Sequence, residues 1–184
     1  FSAVAAGIKR SGALDLGLIH CEVPTTCAGV FTQNLVRAAP VVVSEVRAKK
    51  GRCRAVLVSS GNANACTGDD GVRDVEALTA AVARGIGDSS SSVLMASTGV
   101  IGERLPVDAM MRAVPELLLR RRVDGAAGER LREQDGANET AGATLDVALD
   151  ARQLSGEKHA GTRAELHALV QNARRIDERV SVNA

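Results

Sequence analysis

Aromatic side chains are almost missing from this chain: two Phe, no Tyr and no Trp in 184 residues. Folds that hold single-stranded nucleic acid by stacking bases need aromatic platforms, and this chain cannot supply them. Its core must be assembled from Val, Leu, Ile and Ala instead, each of which buries less area than a ring. An excess of either charge is missing too. Lys+Arg 23 against Asp+Glu 22 leaves a net +1, so no overall field draws the chain to nucleic acid or to an anionic membrane. No apolar run approaches the ~20 residues that a membrane span needs. Histidine numbers three and cysteine four, with no Cys-x-x-Cys and no His-x-x-x-His, and His20 stands alone. No metal site is expected. Cys21, Cys27, Cys53 and Cys66 lack paired close spacing, and no secretory signal is visible. Reduced thiols in the cytoplasm are therefore predicted, each most simply a small buried hydrophobe.

What is present fits an ordinary globular domain: 45% hydrophobic and 24% charged residues in a length that suits one real core. The charges are uneven. Residues 1–110 carry 11 basic and 10 acidic side chains, whereas the remaining 74 carry 12 of each, which marks a compositional seam near residue 110. Before it, the pattern alternates. Residues 13–22 read as a strand, Pro24-Thr25-Thr26 as a turn, and residues 27–32 as the second strand of a hairpin. Val41-Val42-Val43 is a short β-branched run just after Pro40. Lys49-Lys50-Gly51 is a turn before a strand at Cys53–Val58. A small polar loop, Ser59–Gly68, leads to a helix capped by Asp69 or Asp70, with Val72, Val75, Thr79, Val82 and Ile86 on one face and Gly85 or Gly87 at its end.

A serine-rich loop at residues 88–92 precedes the apolar Val93–Ala96. Ser97–Gly102 reads as a second small-residue loop leaving a strand. Pro106 suits a helix start, and Pro115 should kink or restart that helix. Strands, loops and helices thus alternate over the first 120 residues, an α/β or α+β pattern. Beyond Arg120, residues 125–142 look like a polar linker. Thr162 and Glu165 form a capping box ahead of a helical face at Leu166, Leu169, Val170 and Ala173.

Two loops invite chemical readings. The amides of Gly61–Gly68 could cradle an anion, but the segment lacks the Lys-Ser/Thr ending of a phosphate loop, and a structural turn is the favoured reading. At Thr98-Gly99 a hydroxyl and the following amide could converge on one point, as an oxyanion hole requires. From local sequence alone, a tight turn with Gly at positive φ is the favoured reading of that pair.

Taken together, the strings Val4-Ala5-Ala6-Gly7-Ile8-Lys9, Ala28-Gly29-Val30-Phe31-Thr32, Ala38-Ala39-Pro40-Val41, Ser60–Gly68 and Ala96-Ser97-Thr98-Gly99-Val100-Ile101-Gly102 change the weighting. In this order they resemble the N-terminal, α-chain part of the ornithine acetyltransferase family of arginine biosynthesis, over residues 1–120. The resemblance implies an α/β layered sandwich of the self-processing type, of which this chain holds the N-terminal part. It also implies an acyltransferase that moves acetyl from N-acetylornithine to glutamate, with acetyl-CoA as a further donor in some members and no bound cofactor. The catalytic nucleophile is then a Thr exposed by cleavage of an Ala-Thr bond. Carried over onto this sequence, the oxyanion pair falls at Thr98 (hydroxyl) and Gly99 (amide); no substrate-binding residue carries over.

Residues 121–184 depart from the family. Neither the Thr-Thr-Asp substrate segment nor the Lys-Gly-rich approach to the cleavage point occurs there. Ala143-Thr144 is the chain's one Ala-Thr pair, closer to Thr98 than the family spacing, which makes Thr144 a candidate nucleophile without the family's context. Two units are therefore expected: 1–120, resembling the family, and 121–184, divergent. The leading expectation is a subunit that supplies the oxyanion hole to a second, β chain carrying the nucleophile, in a hetero-oligomer. The alternative is an inactive remnant that serves as a binding or assembly module.

Overall fold

In the computed structural model the described residues are 1–121. The linker at 125–142, Thr144, and the capping box and helical face at 162–173 lie outside them. Four strands form one sheet in the order β1-β2-β3-β4: β1 (Ser2–Val4), β2 (Leu16–Thr26), β3 (Arg52–Asn62) and β4 (Val93–Val100). β2 runs antiparallel to both its neighbours, β1 and β3, while β3 and β4 are parallel, in register from Ala55 opposite Val93 to Asn62 opposite Val100. A parallel pair needs a crossover, and helix α2 (Gly68–Ile86) provides it. Helices α1 (Ala39–Ala48) and α3 (Val107–Leu119) complete the element set, with a short 3₁₀ turn at Ser90–Ser92.

The apolar alternation decides which face is buried. Leu16, Leu18, Ala55, Leu57, Val93 and Met95 form one core with Val75, Leu78 and Val82 of α2 and Met110, Val114 and Leu117 of α3. Gly85 lets α3 approach α2 closely, because a Cβ there would lie 2.1 Å from Leu118 Cδ1. Among the described residues no helix is long and apolar enough to cross a membrane.

Two expectations give way, the hairpin over residues 24–32 and the break at Pro115, and the unassigned run at Val41–Val43 resolves. Pro24-Thr25-Thr26 is not a turn but the end of β2, and residues 27–32 form no strand. The pairing of β2 with β3 breaks register between His20 and Thr25, so Pro24 has no ladder bond to lose. Arg54 takes up freed carbonyls there, donating to those of Cys21 (3.3 Å) and Glu22 (2.6 Å).

Val41-Val42-Val43 is helical, in α1. Pro40 sits in the first turn, where its missing N–H costs nothing, and the helix lies along the outer edge of β4. Ser44 Oγ donates to the Met95 carbonyl (2.7 Å) and accepts from its amide (2.9 Å), while Arg47 donates to the Val93 carbonyl (2.7 Å) and to Thr79 Oγ1 (2.8 Å). Satisfying a sheet edge outweighs the β preference of three valines. Pro115, finally, does not interrupt α3. Val114 and Leu117 anchor that turn in the core, and Ser2 Oγ (2.7 Å) and Arg121 Nε (2.8 Å) donate to the terminal carbonyls of Leu117 and Leu118.

The opposite sheet face carries a smaller cluster of Ala48, Cys53, Val56 and Leu94, with Cys27 and Phe31 packed against it. All four thiols are free. Cys53 donates to Cys27, which brings the Cys27 thiol down to about 7, while that bond and burial push Cys53 up. Alkylation of Cys27 by iodoacetamide should therefore rise with pH around a midpoint near 7, since only the thiolate reacts. Peptide mass mapping should show Cys53 unlabelled over the same range. Cys53→Ala removes the donor and should move the Cys27 midpoint upward; an unmoved midpoint would refute the pairing.

Candidate active site

Thr98 and Gly99 lie at the C-terminal end of β4, both exposed. The expected loop begins later than the sequence indicates, because β4 continues through Val100. Open α/β sheets place their ligands at this end of parallel strands. Gly99 has φ +133°, a conformation that favours glycine. Its neighbour in register is Gly61, also at positive φ (+115°). A Cβ on Gly99 would lie 2.2 Å from the Gly61 carbonyl carbon and 2.5 Å from the Asn62 nitrogen. The two strands thus meet backbone to backbone at these glycines, with no space for a side chain on Gly99.

Two residues earlier on each strand, Ser59 Oγ donates to Ser97 Oγ at 2.8 Å. Beyond the strands, the two small-residue loops are laced together. The Ala63 amide donates to the Val100 carbonyl and the Gly102 amide to that of Ala65, each at 2.9 Å. Asn62 Nδ2 donates to the carbonyls of Glu103 (3.2 Å) and Arg104 (3.0 Å), and its Oδ1 accepts from the Asn64 amide (2.7 Å). Arg104 closes the arrangement on α2 through a bidentate pair with Asp74 (3.1 and 2.5 Å). That carboxylate raises the Arg104 pKa further.

The Gly61–Gly68 segment is a structural loop here: the amides of Ala63 and Asn64 are already used within the protein. The cap of α2 also differs from expectation. Thr67 occupies the N-cap position, with Asp69 and Asp70 inside the first turn, where they favour the helix dipole without capping. Gly87 at φ +69° ends the helix as expected.

A second turn lies against Gly61 from the N-terminal side. Ile8 and Lys9 lie against Gly61, where a Cβ would sit 3.1 Å from Ile8 Cγ2 and 3.0 Å from Lys9 Cγ. The buried carboxylate of Asp15 holds that turn by accepting from the amides of Ala6 (2.6 Å), Ile8 (2.6 Å) and Lys9 (2.8 Å). Sequence reasoning missed this. Asp15's partners are backbone amides, which carry no side-chain signature.

No group of three or more His, Cys, Asp or Glu able to hold a metal occurs among the described residues. His20 is held below its ordinary pKa by burial and then by the nearby charges of Arg121 and Arg54. A hydroxyl and the next amide, fixed on a rigid strand end, can together donate to one oxygen on which negative charge develops.

The ArgJ family profile matches residues 1–158. Arginine biosynthesis bifunctional protein ArgJ of Geobacter sulfurreducens is 51% identical over 118 residues, 64% of this chain and 30% of that protein. Its namesake in Mycobacterium tuberculosis is 47% identical over 121 residues, 62% of this chain and 30% of that protein. The chain therefore spans less than a third of the curated relatives' length. Among solved structures, ornithine acetyltransferase of M. tuberculosis complexed with ornithine is similar with a TM-score of 0.67 at 42% identity, covering 70% of this chain and 69% of that one. The ArgJ structure from Bacillus halodurans aligns with a TM-score of 0.57 at 43% identity, covering 61% and 60%.

Proposed function

The chain belongs to the ArgJ family, and from that premise we propose that it is the oxyanion-bearing N-terminal portion of a glutamate N-acetyltransferase. In this reading it moves acetyl from N-acetylornithine to glutamate, in the cytoplasm and without a bound cofactor; acetyl-CoA is a second donor. The supporting observation is the placement of Thr98-Gly99, exposed at the end of β4 with Gly99 locked against Gly61. In this reading the site-bearing unit is 1–120 and 121–184 is a divergent segment, into which the family profile extends as far as residue 158.

The chemistry follows. A Thr hydroxyl on a second chain attacks the acetyl carbonyl and forms a C–O bond, and the carbonyl π pair moves onto oxygen. Thr98 Oγ–H and Gly99 N–H donate to that oxyanion. When the pair returns, the C–N bond breaks and ornithine leaves, its amine taking the proton that the nucleophile gave up. Glutamate's amine then attacks the acetyl-Thr ester by the same route in reverse. A second chain has support in the lengths. The structural alignment spans 70% of this chain and 69% of the solved M. tuberculosis chain, whereas the sequence alignment spans 62% of this chain and 30% of the curated sequence from that organism. The solved chain is thus itself less than half of that sequence, and a hetero-oligomer of two such parts is the proposed assembly.

The test is acetyl transfer from N-acetylornithine to glutamate by the full chain, with and without a candidate second chain. Thr98→Ala should lower kcat by about 10²–10³ with KM little changed, because the donor acts on charge present only in the transition state. An unchanged kcat overturns the assignment. Absence of transfer in every pairing would favour the assembly-module reading, which the short coverage also accommodates.

A further inference from the structure

We propose that Asp15 is a positioning residue for the Thr98–Gly99 site, acting through the Ala6–Lys9 turn and Gly61; this rests on the oxyanion reading of that site. Asp15 is 1% exposed, and burying a carboxylate is costly unless its oxygens are satisfied. Here both are: Oδ1 accepts from Ala6, and Oδ2 from Ile8 and Lys9. Gly7 at φ +82° allows the turn to point these amides inward as a nest. Asp15 is also clamped by its own backbone. Its amide donates to the Val4 carbonyl at the end of β1 (3.1 Å), and its carbonyl accepts from the amide of Ser60 on β3 (2.9 Å). One residue thus joins the N-terminal turn to the strand position immediately before Gly61.

The consequence reaches the site in two contacts. The pinned turn lays Ile8 and Lys9 on Gly61, and Gly61 lies against Gly99 with no space for a Cβ between them. Gly61 has a glycine's conformational freedom, so something must restrict it if the Gly99 amide is to keep one direction. The turn does so from one side and β4 from the other. Donors that stabilise a developing charge are effective only when held in place before the reaction. Asn at position 15 would keep the shape, but its amide group would face N–H donors where Oδ2 now accepts two.

The experiment uses the ¹⁵N-labelled full chain. In Asp15→Asn the amides of Ala6, Ile8 and Lys9 should exchange at least tenfold faster, and the Gly61 and Gly99 resonances should shift. Amides in the cores of α2 and α3 should keep their protection. With the second chain present, kcat per folded enzyme should fall at least tenfold while KM for glutamate stays within about twofold, and the retained protection of α2 and α3 separates this loss from general unfolding. If Asp15→Asn does not fold, the double variant Ile8→Ala with Lys9→Ala removes the cover from Gly61 while leaving Asp15 in place. It should shift the same two glycine resonances. Unmoved Gly61 and Gly99 signals in a folded variant overturn the proposal. The glycine shifts need no turnover, so they test it even if Thr98→Ala has sunk the acetyl-transfer reading.

Discussion

Gly99→Ala should destabilise the chain by more than ~4 kcal/mol, measured by denaturant unfolding, and remove whatever activity the site has. Two effects combine. An L residue at φ +133° is strained, for about 1–3 kcal/mol. The added methyl must also escape backbone atoms of Gly61 and Asn62 at 2.2–2.5 Å, which no rotamer can relieve because Cβ has none. β3 and β4 would have to separate at the end of their ladder, releasing paired backbone groups. Gly102→Ala is the control. It shares a positive φ (+87°) but has open space around its Cβ position, so about 1 kcal/mol is expected. Equal losses in the two variants would show that the Gly61–Gly99 contact does not constrain the site.

That contact also shows where the sequence was legible and where it was not. Ala55–Val58 reads as a strand because a continuous apolar run has nowhere to go but a sheet buried on both faces, and Ala55, Val56 and Leu57 are fully buried. Helix α2 reads correctly because Val75, Thr79 and Val82 recur at helical spacing and Gly87 supplies the left-handed end. These are local signals. By contrast, α1 is decided by the open edge of β4, about fifty residues away, which Ser44 and Arg47 satisfy. No window around Val41–Val43 contains that information.

The site divides in the same way. Thr98 and Gly99 stand out only through the longer string around them, since a hydroxyl followed by Gly marks many ordinary turns. Gly61 belongs to the other recognisable string, yet nothing local says that the two glycines touch. Their proximity is a product of the parallel register, which brings Ser60, Gly61 and Asn62 beside Thr98, Gly99 and Val100. Asp15 was invisible for a further reason. It reads as one polar member of an alternating strand segment, and its importance lies in three amides contributed by a turn that precedes it.

Asn64→Ala should be the other large loss, about 3–5 kcal/mol by the same unfolding measurement, although the residue touches neither Thr98 nor Gly99. Asn64 is fully buried at φ +48°. Its Nδ2 donates to the Gly71 carbonyl (3.0 Å), and its Oδ1 accepts from Thr67 Oγ1 (2.7 Å). Its main chain accepts from the Ala39 amide (3.1 Å) and donates to Asn62 Oδ1 (2.7 Å). It therefore ties the starts of α1 and α2 to the end of β3. Truncation would remove the Asn64 Nδ2 bond to the Gly71 carbonyl and the shorter of two bonds donated by the Thr67 hydroxyl, leaving that hydroxyl only the Asn64 main-chain carbonyl at 3.3 Å. Gly71 is fitted to the same arrangement: a Cβ there would lie 2.6 Å from Asn64 Oδ1. Asn64→Gly separates the backbone part of the loss from the side-chain part. Relieving the left-handed strain should recover about 1 kcal/mol relative to Ala, with the remainder belonging to the two side-chain bonds. If Ala and Gly were equally mild, within ~1 kcal/mol of the parent, the loop would be held by its β3–β4 lacing alone. The order and severity of these two variants therefore decide whether the loop is set by its asparagines or by the strands it connects.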